Sequence, residues 1–223
     1  MISLKNHKTL KWLNDNKITI LLISIIVLVI LPPFISSEEE RIELLMNLFS
    51  LPVLISCFLI IRKHPITRFV SIVTFALVII NIFIESYLLD SFQQVGVSIL
   101  VIHAFSLVIK KAMTLEGTKG KMILISITGY LIIGLLGGFL AEGLERSSPG
   151  SYQHSAGLEL GLYNFIYYSY VTITTLGYGD IIPITKKSQS LSLILVIAGQ
   201  LYLAVIIAIN ISKFLQKKQQ EST

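Results

Sequence analysis

Apolar residues run in long blocks along this 223-residue chain, separated by short segments that carry most of the charge. A helix on the surface of a soluble domain would show an apolar stripe at a 3.6-residue period, and a half-buried strand would alternate. These blocks are apolar all round, as a helix surrounded by lipid must be. At about 1.5 Å per residue, a hydrocarbon layer of about 30 Å takes about 20 residues to cross. Six blocks approach that length: Ile18 to Ile35, Leu44 to Ile61, Phe69 to Leu89, Phe92 to Ile109, Met122 to Ala141 and Leu191 to Ser212. A membrane barrel would instead show segments of about ten alternating residues. The pattern predicts an all-α membrane protein with six transmembrane helices.

The stretch between the fifth and sixth blocks differs from the short loops elsewhere. The polar run from Gly143 to Gly157 reads as an exposed turret. Leu160 to Thr174 is apolar and aromatic-rich, yet too short to cross the bilayer. It is expected to be a re-entrant helix that enters from outside and stops midway. Irregular backbone can follow at that depth only where it is buried in protein or lines a water-filled path.

Composition agrees with the pattern: a mean hydropathy of +0.77 with 14% charged residues is incompatible with a soluble domain of this size. The net charge of +5 does not imply a nucleic-acid partner, because Lys and Arg sit in loops beside apolar blocks and form no basic face. They fix topology instead, since basic loops stay in the cytoplasm. With the N-terminus inside, only Arg41, Arg146, Lys186 and Lys187 of the 18 basic residues fall outside, so both termini are expected to be cytoplasmic. The lysines before the first block also suit a signal peptide. No small-residue cleavage pattern follows, and a retained helix is expected. Cys57, the single cysteine, has no partner for a disulfide within the chain.

Directly after the short apolar run stands Thr172-Ile173-Thr174-Thr175-Leu176-Gly177-Tyr178-Gly179-Asp180. A row of backbone carbonyls aimed at one axis can replace the hydration shell of a cation. An ordinary strand cannot supply such a row, because its successive residues face opposite ways. Gly177 and Gly179, at alternate positions, admit the left-handed backbone angles that turn every carbonyl to one side. A Gly-Tyr-Gly alone would read as a tight turn. The short helix before it and the full span after it make a turn the poorer reading.

These residues resemble the pore signature of tetrameric potassium channels, over the last hundred residues of the chain. The resemblance implies a homotetramer in the lipid bilayer, with K+ as permeant ion and Thr175, Leu176, Gly177, Tyr178 and Gly179 as selectivity filter. It divides the chain into a cytoplasmic segment 1–17, a four-helix domain 18–110, a linker 111–121, a pore domain 122–212 and a cytoplasmic tail 213–223. Thr175 and Asp180 favour potassium over sodium in the family. Asp180 implies a brace at the outer end of the filter, and Tyr167 and Tyr168 fall where the family has an aromatic cuff; simple core packing is the alternative. Gly199 matches the position of an inner-helix hinge, with close packing as the alternative. Val171 stands where some members carry a buried glutamate. Ile182 replaces an aromatic that supports block by external tetraethylammonium. Leu203, Ile207 and Ile211 are candidates to face the cavity. The C-terminal end of the re-entrant helix is expected to direct partial negative charge at the ion path.

The fourth block holds no repeated Arg or Lys, so voltage sensing through it is not expected. His103 within it suggests either a proton sensor or a neutral histidine bonded between helices. Glu85 is expected to snorkel to the outer interface. After Ser212 a short polar tail follows, and no ligand-binding domain is expected there. Enzyme motifs are absent from the sequence, and neither enzyme activity nor a cofactor is expected. The compact layout suggests a bacterial inner membrane as the plasma membrane concerned. A non-conducting regulatory subunit and a secondary potassium transporter remain as alternatives.

Overall fold

The computed structural model describes residues 2–61, 65–84, 87–114 and 119–221. Its elements run α1 (Ile2–Ile30), α2 (Pro32–Ile35), α3 (Glu39–Ile61), α4 (Pro65–Phe83), α5 (Tyr87–Thr114), α6 (Lys119–Ser147), β1 (Tyr152–His154), α7 (Leu162–Ile173), β2 (Ile181–Pro183) and α8 (Lys186–Glu221). The chain divides into two compact units, Met1–Val108 and Ile109–Thr223.

Five helical stretches are long and apolar enough to cross a membrane among the described residues: Glu39–Ile61, Pro65–Ile82, Ser91–Ala112, Gly120–Ser147 and Lys186–Ser212. The chain is a multi-pass membrane protein. The first expected span differs. Its apolar part is the shorter Asn16–Ile30, because Pro32 and Pro33 interrupt the helix where the block was expected to continue to Ile35. The third and fourth blocks also divide earlier than expected, with α4 ending at Phe83 and α5 beginning at Tyr87. Glu85, Arg62 and Lys63 lie outside the described residues.

In the first unit, α1 packs on α3 and α3 on α4. Leu21 and Ile25 of α1 and Leu54, Cys57 and Ile61 of α3 are buried. A hydrogen bond from Gln93 to Asn47, 2.8 Å, ties α5 to α3. Gly96 of α5 lies so close to α4 that a Cβ there would sit 2.3 Å from Thr74 Oγ1. The outward faces remain apolar, with Phe34, Ile66 and Phe69 exposed, as lipid-facing positions should be.

In the second unit, α6 and α8 are the two long helices and α7 packs against both. The close approach of α7 to α6 depends on missing side chains. A Cβ on Gly134 would meet the Tyr170 ring at 2.2 Å, and one on Gly138 would lie 2.7 Å from Ile166 Cα. Small residues let helix backbones approach in this way where no hydrophobic force separates protein from lipid.

The turret, expected to be exposed, is partly folded into the unit. Glu145 Oε1 accepts the Gly150 N–H at 2.7 Å and Oε2 the Tyr152 N–H at 2.9 Å, closing the turn that follows α6. β1 then pairs antiparallel with β2, His154 opposite Ile181 and Tyr152 opposite Pro183. Tyr152 is buried, its ring edge-on to Phe165 at 5.4 Å and to Tyr168 at 5.2 Å. Polar composition marked this run as exposed, whereas one large aromatic in it was enough to anchor it.

Candidate functional site

α7 is a twelve-residue helix, about 18 Å long, that starts after the extended Gly161. Such a length is well short of the hydrocarbon thickness of a bilayer, so the helix cannot cross it. From Thr174 the chain leaves the helix while still bonded to its end. The Thr174 N–H reaches Tyr170 O at 3.1 Å and the Thr175 N–H reaches Thr172 O at 3.0 Å. The N–H groups of Leu176 and Gly177 both donate to Val171 O, at 3.0 and 3.3 Å.

Thr175, Gly177 and Gly179 have φ of 60°, 58° and 79°, while Leu176 and Tyr178 between them do not have positive φ. Alternating hand reverses the strand's normal alternation, so successive carbonyls turn to the same side. In a trans peptide the C=O points opposite to the following N–H, so the N–H groups of residues 175 to 177, bonded back to α7, turn the carbonyls of residues 174 to 176 away from it. Two of the three left-handed positions are glycine, where no Cβ resists. Thr175 has no such freedom, and its conformation costs about 1–2 kcal/mol that the bonds around it must offset. Residues 174 to 179 are all exposed in the single chain.

The outer end is braced on two sides. The Tyr167 hydroxyl donates to Asp180 Oδ2 at 2.6 Å, and Asp180 Oδ1 accepts the Ile181 N–H at 3.1 Å. The Ser155 N–H donates to the Asp180 carbonyl at 2.7 Å, which joins the turret to the end of the loop. The Asp180 carboxyl is held below its ordinary pKa, first by the Tyr167 hydrogen bond, with further help from backbone N–H groups and from His154. Tyr168 points elsewhere, its hydroxyl paired with Ser192 of α8. The two tyrosines therefore do different things, Tyr167 touching Asp180 and Tyr168 joining α7 to α8. Burial, with Tyr168 and Glu145 nearby, raises the pKa of Tyr152.

The inner end is tied from both long helices. Ile173 O accepts the Tyr130 hydroxyl of α6 and the Gln200 amide of α8, each at 3.1 Å. The partial negative charge expected at this helix end is thus shared with donors from the same chain. Gly199 sits inside an unbroken α8 and against Ile173, where a Cβ would lie 2.9 Å from Ile173 Cβ and 3.0 Å from its carbonyl oxygen. Close packing is visible at this position. Val171 is buried, and it places no ionisable group at that point behind the loop. Leu203 is half-buried, while Ile207 and Ile211 are exposed in the single chain. His103 lies within α5 in the other unit.

Gln200 and Tyr130 belong to no motif, being single polar groups within apolar blocks, and Ser192 stands at the start of one. A count of polar atoms that must find partners in a lipid-embedded helix would have flagged them. Among the described residues no group of three or more His, Cys, Asp or Glu side chains is placed to hold a metal ion.

Two long apolar helices with a half-length helix and an alternating-hand loop between them define a pore-loop membrane domain. Residues 122–216, from α6 into α8, match the model of a family described as an ion channel. The match covers less than half of the chain, and it makes that segment similar to ion channels. No curated protein matches the chain, and no solved structure does.

Proposed function

We propose that the protein is a subunit of a potassium-selective channel, assembled as a homotetramer around the row of oxygens from Thr175 to Tyr178. The observation that carries this reading is the alternation of φ at Thr175, Gly177 and Gly179 directly beyond the C-terminus of α7. One chain contributes one strand of carbonyls, and a ring that surrounds an ion needs several. The apolar residues of α8 that a lone chain exposes, such as Leu193, Ile194, Ile197 and Leu201, suit burial against copies of the chain.

In this reading K+ gives up its hydration water for carbonyl oxygens and for the Thr175 hydroxyl, and passes from site to site down its electrochemical gradient. Asp180, held by Tyr167, braces the outer end. Gly199 is the inner-helix hinge in this proposal, bending only if its contact with Ile173 slides. The apolar part of α1 joins the five longer helices as a sixth span, its polar start and the C-terminal tail both in the cytoplasm and the chain in the plasma membrane. The basic residues of the inner segments support that orientation.

Reconstitution tests the reading. Unitary currents that reverse near the potassium potential are expected, together with rubidium flux into liposomes that Gly177→Ala abolishes. Flux that persists unchanged in Gly177→Ala overturns the filter assignment. Saturable flux without unitary currents would point to a transporter, and no flux at all to a regulatory subunit.

A further inference from the structure

The last four carbonyls of any helix lack partners within it, and α7 ends with all four engaged. Tyr170 O accepts the N–H and hydroxyl of Thr174, Val171 O accepts Leu176 and Gly177, and Thr172 O accepts Thr175. Those three carbonyls are served by residues 174 to 177, where the chain leaves the helix and enters the loop. The fourth, Ile173 O, is served by the two long helices through Tyr130 and Gln200.

Gln200 is a polar residue in an apolar stretch of α8, where an unbonded amide would be unfavourable in lipid. Its Nε2 finds the carbonyl that immediately precedes Thr174 and Thr175. The approach depends on the neighbouring Gly199, because any Cβ there would press on Ile173. Further along α8, the Tyr202 hydroxyl donates to Ser126 O at 2.9 Å and Asn210 Nδ2 to Ser126 Oγ at 3.1 Å. These bonds link that part of α8 to α6, the helix that also supplies Tyr130. A shift of α8 against α7 must therefore break the Gln200 bond or carry Ile173 with it.

We propose that Gln200 is a positioning residue that latches the inner helix to the base of the filter, so that movement of α8 reaches Thr174 and Thr175 through the Ile173 carbonyl. The proposal rests on the reading of residues 175 to 179 as a potassium filter. The latch stabilises the conducting arrangement without touching the ion. Its loss shortens the time the filter stays conducting, while the N–H bonds from residues 174 to 177 preserve its shape and hence its selectivity.

Single-channel recording of the reconstituted protein tests this. Gln200→Leu removes the donor and keeps much of the volume, and mean open time is expected to fall about three- to tenfold, the scale of one ordinary hydrogen bond. The unitary current and the potassium-over-sodium permeability ratio stay unchanged. Gln200→Glu places a carboxylate, which can only accept, against a carbonyl. Its open times are the shortest at neutral internal pH. They lengthen as internal pH falls through the carboxylate range and the acid regains a proton to donate, a dependence absent from Gln200→Leu. Tyr130→Phe removes the other donor to the same oxygen, so its effect on open time and that of Gln200→Leu combine non-additively. Open times equal to wild type in Gln200→Leu, a flat internal pH profile in Gln200→Glu, or additive effects in the cycle each overturn the latch and leave the channel reading in place. If Gln200→Leu does not assemble, Tyr130→Phe and the Gln200→Glu pH profile decide. A wild-type protein without unitary currents overturns the channel reading itself, and the latch with it.

Discussion

The Tyr167 hydroxyl donates to Asp180 Oδ2 at 2.6 Å, joining the middle of the half-length helix to the residue that follows the loop. The loop is thereby held as a bow, with α7 as the stave: its start is bonded to Tyr170, Val171 and Thr172, and its end to Tyr167. Neither partner is deeply buried, so solvent screens the pair, and the bond is worth about 1 kcal/mol per subunit, below the usual range for a charged acceptor.

Removing that bond should show first as acid sensitivity. Asp180 has its pKa lowered in the folded protein, chiefly by Tyr167. The contribution of the pair is therefore complete above the ordinary Asp pKa of about 3.9 and is lost only as pH falls through the lowered value. Rubidium flux in liposomes should be insensitive, on account of this group, to external pH down to about that ordinary value. In Tyr167→Phe the acid midpoint should move upward, toward the ordinary carboxylate range. An unmoved midpoint would mean that the bond does not govern Asp180.

A second expectation separates backbone from side chain within the loop. Gly177 has φ 58°, and an alanine there costs about 1–2 kcal/mol in each copy while disturbing the alternation that turns the carbonyls. Leu176 does not have positive φ, so a β-branched side chain there meets no left-handed strain. Gly177→Ala should abolish flux, and Leu176→Val should retain it within a few-fold, both read by rubidium uptake at equal protein incorporation. Loss of flux in both, or in neither, would remove the distinction.

The loop was legible in the sequence because its chemistry leaves few choices: Gly177 and Gly179 stand where left-handed backbone is needed, and the apolar run before them is too short to span. Tyr167 and Tyr168 were marked only by the family resemblance, with core packing as the alternative, and their separation in role needed coordinates. The ends of the helices were not legible, because hydropathy registers only what lies in lipid. α1 begins at Ile2 and α8 continues to Glu221 through polar residues that form helix readily in water. The strand β1 escaped because three residues carry no periodicity, and Tyr152 alone decides where it packs. Tyr130 and Gln200 escaped because a hydrogen bond between elements 43 or 27 residues apart leaves no local pattern.

Helix packing beneath the loop gives a third test, independent of conduction. A Cβ on Gly138 would lie 2.7 Å from Ile166 Cα and 3.0 Å from its backbone nitrogen, neither of which can move without moving α7. A Cβ on Gly143 would meet nothing within 4 Å. Gly138→Ala should destabilise the fold by about 1–3 kcal/mol through overpacking, whereas Gly143→Ala, five positions along the same helix, should be neutral or slightly stabilising. Thermal unfolding in detergent micelles, followed by loss of the monodisperse peak on size exclusion, reads both. Equal midpoints would deny the close approach of α6 and α7.

Gly199 offers the sharpest test, because its two proposed roles predict different phenotypes for one substitution. If the residue serves only as a flexible point in α8, Gly199→Ala should stiffen the helix and stabilise it by up to about 1 kcal/mol, reducing opening without harming assembly. The contact with Ile173 predicts otherwise. An alanine Cβ would press on Ile173 Cβ and on the carbonyl that Tyr130 and Gln200 hold, so α8 or the end of α7 must shift by some tenths of an ångström. Gly199→Ala should then lower thermal stability by about 1–3 kcal/mol and shorten open times together, since the displaced carbonyl is the one preceding Thr174. Size exclusion after heating and single-channel recording, applied to the same preparation, distinguish the cases. A mutant that is more heat-stable and opens less often assigns Gly199 to bending; one that is less stable, with brief openings, assigns it to packing against the base of the filter.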